Sequence, residues 1–145
     1  MSSLSSETLH ATCIVKDGRG VLISGRSGSG KSDLALRLID RGASLVSDDY
    51  TTVRRINGKL VASAPANIAG KIEVRGIGLV DVPAVAEAPV CLMVDLGRDV
   101  ERMPQANETV MVAGVRVPAV ALNALEASAS VKVEVALAKL GLEAG

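Results

Sequence analysis

The stretch "GRSGSGKS", Gly25 to Ser32, constrains this chain more than any other. Gly25, Gly30, Lys31 and Ser32 meet the pattern G-x-x-x-x-G-K-[ST], and Gly28 adds a further glycine. Glycine lets successive backbone N–H groups turn inward and leaves no Cβ in the way of an anion. Such a loop needs a strand to fix its start and a helix whose positive dipole end faces the same anion. Both flanks fit. "VLIS" reads as a β-run, and "KSDLALRLIDRG" reads as a helix with Leu34, Leu38 and Ile39 on one face and Leu36 to one side. Gly42 is placed to end it. Arg26, Ser27 and Ser29 complete a cradle for a nucleotide phosphate. Lys31 is expected to reach the β- and γ-phosphates, and the Ser32 hydroxyl to bind Mg²⁺. The bland alternative is a Gly/Ser-rich turn that caps a helix.

Elsewhere strands outnumber helices. "LHATCIV" reads as a strand, "KDGRG" as a turn and "ASLV" as a strand running into "SDD". "YTTVRRI" and "KLVAS", joined by Asn57-Gly58, make a hairpin. "KIEVRGIGLVDVP" is strand-like but broken by Gly76 and Gly78, and "PVCLMVDL" is a buried strand. "VMVAGVRVP" suggests a hairpin turning at Ala113-Gly114. Positions 122–142 read as mostly helical, although "VKVEVA" also fits a strand. The expected fold is α/β: one domain over residues 1–145, with a mixed, largely antiparallel sheet around the phosphate loop and its helix.

Composition narrows the partners. The formal net charge is zero, no basic run stands out, and Tyr50 is the one aromatic of the Phe, Trp and Tyr class. A nucleic-acid partner is therefore not expected, since neither a basic footprint nor a stacking platform is present. No apolar run approaches the ~20 residues needed to span a bilayer. The N-terminal "MSSLSSETLH" lacks the charged start and apolar stretch of a secretory signal. The expected location is the cytoplasm, with no membrane partner. Cys13 and Cys91 sit in apolar surroundings and read as buried, inert thiols.

Binding a phosphate is not transferring one, which also needs a metal ligand and a group that positions or deprotonates the nucleophile. Asp48 and Asp49 end an apolar strand in "LVSDDYT". An alternating pleat would send them to opposite faces, one to a metal or its water and the other to a proton on an attacking hydroxyl. Equally, they form a solvated turn opening the next hairpin. His10 is the only histidine and stands at the start of a strand. Glu73 and Arg75 would share one face of a strand, either as a surface ion pair or split between metal and phosphate. Gly76 and Gly78 suggest backbone pressed close to a neighbour.

Together, "GVLISGRSGSGKSDLALRLIDRG", "LVSDD" and "IEVRGIGLVDV" resemble the catalytic domain of HPr kinase/phosphorylase. That family phosphorylates a serine of the small phosphocarrier protein HPr. The resemblance runs from about His10 to Val82, and more thinly beyond. It implies ATP and Mg²⁺ as cofactors and an HPr-like carrier as partner. By motif, His10 matches an active-site histidine, Lys31 the phosphate-binding lysine and Ser32 the Mg²⁺-binding hydroxyl. Asp49 matches the carboxylate that takes the serine proton, Asp48 is its neighbour, and Glu73 matches a second Mg²⁺ contact. Arg102, in "VERMP", is similar to a later active-site arginine.

Several departures shape the expectation. The chain is expected to do without the separate N-terminal domain typical of the family, and the segment between "GLVDVP" and "VCLMVDL" is short. "VPAVALNALEASASVKVEVALAK" stands where the family carries a proline- and arginine-containing loop that serves the reverse, phosphorolytic reaction. Kinase activity is expected, these departures put the phosphorylase activity in doubt, and the homo-oligomer, a hexamer in the family, follows from the resemblance alone. A small-molecule P-loop kinase or NTPase, and a non-catalytic ATP-sensing module, are the competing functions.

Overall fold

The computed structural model describes residues 5–104 and 106–145, so the N-terminal stretch discussed above begins outside them. Its elements are β1 (Ser6–Leu9), β2 (Ala11–Lys16), β3 (Arg19–Ser24), α1 (Lys31–Asp40), β4 (Ser44–Ser47), β5 (Thr51–Ile56) and β6 (Lys59–Ser63). There follow β7 (Lys71–Val74), β8 (Gly78–Asp81), β9 (Glu87–Asp95), β10 (Glu108–Val112), β11 (Val115–Ala121) and α2 (Ala129–Leu140). Nine strands form one sheet in the order β1-β5-β6-β9-β3-β2-β4, with the β10–β11 hairpin joined to β9, while β7 and β8 pair separately. Among the described strand pairs only β3–β9 and β9–β11 are parallel. The expected mixed, largely antiparallel α/β architecture is what the chain adopts.

Strand β3 is buried on both faces, and its alternation shows how the layers are built. Val21 and Ile23 point into a core with Leu34, Ala35 and Leu38 of α1 and Val133 and Leu137 of α2. Leu22 points the other way, into a second core with Val53, Leu60 and Val117. A period of two on a strand thus serves two cores. Each fully buried Leu contributes roughly 1.5–3 kcal/mol to this arrangement. Cys13 and Cys91 are buried free thiols, and burial pushes the Cys13 thiol up to about 12.

The local signals behave as their chemistry requires. Asn57-Gly58 and Ala113-Gly114 both take positive φ at the tips of β5–β6 and β10–β11. Helix α1 stops in a Schellman motif: Gly42, at φ +104°, donates to Ile39 C=O while Ala43 donates to Leu38 C=O.

Four expectations need correction. "LHATCIV" is not one strand. The chain bends at His10, and Ser6–Leu9 pairs with β5 instead. The final helix occupies only Ala129–Leu140. Asn123 Oδ1 accepts from the Leu125 N–H, and Arg37 donates to the Ala124 and Glu126 carbonyls, so residues 123–126 are held in a turn. "VKVEVA" lies within that helix, because Ala129, Val133 and Leu137 recur at helical spacing on the buried face while Val131 and Val135 stay exposed. Finally, β7 ends at Val74, so Glu73 and Arg75 do not share a strand face. Gly76 and Gly78 have nothing within 4 Å of a notional Cβ; they serve the positive φ of the β7–β8 turn, not a close approach.

Candidate active site

Strand directions bring the candidate residues together. β3 and β4 both run antiparallel to β2, so they end where β2 begins. The phosphate loop leaves β3, the Asp48–Asp49 pair leaves β4, His10 sits at the bend just before β2, and Thr12 is near the start of β2. Ligand sites of open α/β sheets form at such strand ends.

The loop is shaped by its glycines. A Cβ on Gly25 would lie 2.5 Å from Ser29 Oγ and 3.2 Å from Leu96 Cβ. Gly30, at φ +100°, is the N-cap of α1 and supplies no side-chain cap, so the first helical amides are left for an anion. Gly28 takes φ +83° and faces open space. Ser29 Oγ is buried with no hydrogen-bond partner among the described residues, a donor that a phosphate oxygen would satisfy. Lys31 is only 4% exposed. Its ammonium donates to the carbonyls of Gly25 and Arg26 at 3.0 and 3.1 Å, which aims it across the loop.

The two aspartates occupy different surroundings, as expected, but through a different device from strand alternation. β4 ends at Ser47, and a tight turn separates them. Asp48 is buried: its Oδ1 accepts from Ser32 Oγ at 2.6 Å and Thr12 Oγ1 at 3.1 Å, and its Oδ2 from the Glu73 N–H at 3.1 Å. Asp49 is half exposed, with Oδ1 2.8 Å from His10 Nε2 and 3.9 Å from Lys31 Nζ. The His10 contact puts the proton on Nε2, since an ionised carboxylate only accepts. The His10 ring stacks on Tyr50, with centroids 5.0 Å apart. Asp49 has φ +68°, and the Tyr50 N–H donates to Asp48 C=O at 2.7 Å. Asp49 is therefore the centre of a γ-turn with left-handed φ, a rare backbone state that costs about 1–3 kcal/mol.

Glu73 reaches the cluster through its backbone and keeps an exposed side chain. Arg102 lies elsewhere on this end of the sheet. It lines a cavity of about 320 Å³ with Arg98, Asp99, Leu122, Lys132 and Lys139. Among the described residues no hydrogen bond or ion pair joins it to Asp49. The cavity lies past the C-terminal ends of β9 and β11, β9 being the parallel neighbour of β3.

Thr12, Ser47 and Tyr50 are site neighbours that the sequence did not single out. A Thr among "ATCIV" and a Ser ending "LVS" look like ordinary strand residues, and the one available signal was a hydroxyl inside an otherwise apolar run.

Comparison with known proteins decides the family. The family model described as HPr Serine kinase C-terminal domain matches residues 2–144. The chain belongs to that family. It is 48% identical over 83 residues to the HPr kinase/phosphorylase of Clostridium tetani, covering 57% of this chain and 27% of that protein. With the HPr kinase/phosphorylase of Clostridium acetobutylicum it shares 37% identity over 127 residues, 79% of this chain and 42% of that one. The chain thus spans less than half the length of these curated relatives. The solved structure of the Hpr(Ser) kinase/phosphatase from Coxiella burnetii superposes with a TM-score of 0.79 at 31% identity, covering 91% of this chain and 94% of that one. The family's kinase fold is therefore the fold of this chain.

Proposed function

We propose that the protein is an ATP-dependent serine kinase acting on an HPr-like phosphocarrier protein. The observation that carries this reading is the Asp49 carboxylate standing beside Lys31, at the mouth of a glycine loop with free helix amides. The names of the relatives supply the acceptor class: a seryl hydroxyl of a carrier protein.

Loop amides, the Ser29 hydroxyl and the Lys31 ammonium bind the triphosphate and stabilise charge on the transferred group. The seryl oxygen attacks the γ-phosphorus, the bond to the β,γ-bridging oxygen breaks, and ADP leaves. The seryl proton passes to Asp49, which His10 orients. Ser32, Asp48 and Glu73 offer oxygen donors only, the set that suits Mg²⁺. Ser32 and Glu73 would hold the metal, with Asp48 fixing Ser32; bound there, Mg²⁺ would neutralise phosphate charge. Arg102 is assigned to the nucleotide side of the site on its similarity to the family's later active-site arginine. We assign the protein to the cytoplasm, where ATP and a carrier of this kind meet; among the described residues no helix is long and apolar enough to cross a membrane. A homo-oligomer is retained from the family.

Incubation with labelled ATP, Mg²⁺ and an HPr-like protein tests the proposal, followed by mass mapping. One phosphoserine on the carrier is expected. Transfer to small acceptors alone, or tight ATP binding without transfer, would replace it with one of the competing functions.

A further inference from the structure

Most of the buried polar side chains gather around one turn. Thr12, Ser47 and Thr51 are fully buried, and Asp48 nearly so. Thr12 Oγ1 accepts from the Asp49 N–H at 3.0 Å and donates to Asp48 Oδ1 at 3.1 Å. One hydroxyl therefore holds the backbone of one aspartate and the carboxylate of the other. Ser47 Oγ donates to the Tyr50 carbonyl across the same turn, and Thr51 Oγ1 donates to the Ala11 carbonyl at 2.8 Å, tying the next strand to β2.

A γ-turn with positive φ at a residue bearing a Cβ persists only where its surroundings over-determine it. Here the determinants are these hydroxyls, with Thr12 at the centre. Glycine at position 49 would take the same φ with less strain, but it has no carboxylate.

We infer that Thr12 is a positioning residue for phosphoryl transfer: its buried hydroxyl locks the strained turn that aims Asp49 at the incoming alcohol while Asp48 stays turned inward to Ser32. Ser47 supports the same turn from the other side. The inference rests on the assignment of Asp49 as proton acceptor, and it adds a residue that itself touches no reactant.

The test is Thr12→Val, which removes the hydroxyl and keeps the shape, against Thr12→Ser, which keeps the hydroxyl. Thr12→Val is expected to lower kcat for carrier phosphorylation by about 100-fold, the scale of a misplaced reacting group. The ATP dissociation constant should move by less than about threefold, because the phosphate loop is untouched, and Thr12→Ser should recover most of kcat. Amide hydrogen exchange supplies a readout independent of chemistry. Protection of the Asp49 N–H should fall at least tenfold in Thr12→Val and survive in Thr12→Ser, with the β2–β3 amides unchanged. A Thr12→Val enzyme within about twofold of wild-type kcat overturns the inference, even if exchange changes, because the hydroxyl is then structural only. Unchanged Asp49 protection in Thr12→Val also overturns it. Asp49→Asn separates the two levels: if that variant transfers phosphate at the wild-type rate, the proton-acceptor assignment fails, and the exchange experiment still decides whether Thr12 holds the turn.

Discussion

The phosphate loop and the Asp48–Asp49 turn lie side by side, and both contain backbone with positive φ. They reach it by opposite means. In the loop, Gly28 and Gly30 take φ +83° and +100°, a conformation glycine adopts at little steric cost. In the turn, Asp49 takes φ +68° with its side chain in place. The difference follows from what each region offers a ligand. The loop presents main-chain amides, and any Cβ is in the way. The turn presents a carboxylate, so the strain is accepted and buried hydroxyls hold it.

The largest effect expected from this contrast separates binding from transfer. Lys31→Ala should weaken ATP binding about 10- to 100-fold, the range for a charge-assisted contact, and lose transfer with it. Asp49→Asn should leave ATP binding within a few-fold and reduce transfer by about 100- to 10,000-fold, the range for general-base catalysis. Isothermal titration and single-turnover assays of both variants check this. If the two variants show the same pattern, the regions are not functionally distinct.

A smaller effect concerns backbone alone. Gly28→Ala should cost about 1–2 kcal/mol of stability, because φ +83° strains an L-residue although nothing lies within 4 Å of the new Cβ. At position 49 the same order of Gly over Ala should hold. Asp49→Gly should be more stable than Asp49→Ala by about 1 kcal/mol, since both lack the carboxylate and only one is strained. Denaturant unfolding reads both, and equal stability of the Gly and Ala variants would remove the strain at 49.

The smallest lies at the far end of α1, as a control belonging to neither region. Arg41, through a bidentate contact, holds the Glu134 carboxyl below its usual range. A lowered folded pKa stabilises above the unfolded value and is lost as pH falls through the folded one. Glu134→Gln should therefore cost under about 1 kcal/mol at neutral pH, a deficit that disappears in acid, with transfer unchanged. Melting temperatures between neutral pH and pH 3 measure it.

The same contrast explains what was legible in the sequence. Glycine patterns announce themselves: the loop, the Asn57-Gly58 and Ala113-Gly114 hairpins and the Gly42 helix stop all follow from φ preferences of single residues. The Asp48–Asp49 pair was visible, but its turn was not, because nothing in "SDDY" marks a positive φ and the bracing Thr12 is distant in sequence. The strand Ser6–Leu9 was hidden because its partner β5 lies more than forty residues on and its own composition is polar. The start of α2 was misplaced because the restraint on residues 123–126 comes from Arg37 on another helix. Local chemistry was readable, and long-range hydrogen bonds were not.

The most direct measurement is a crystal structure with Mg²⁺ and a non-hydrolysable ATP analogue. The terminal phosphate is expected on Lys31 and the loop amides, with the Asp49 carboxylate facing the open side from which a seryl hydroxyl arrives. A terminal phosphate bound away from Asp49, with that carboxylate turned from it, would contradict the assignment on which the kinase rests.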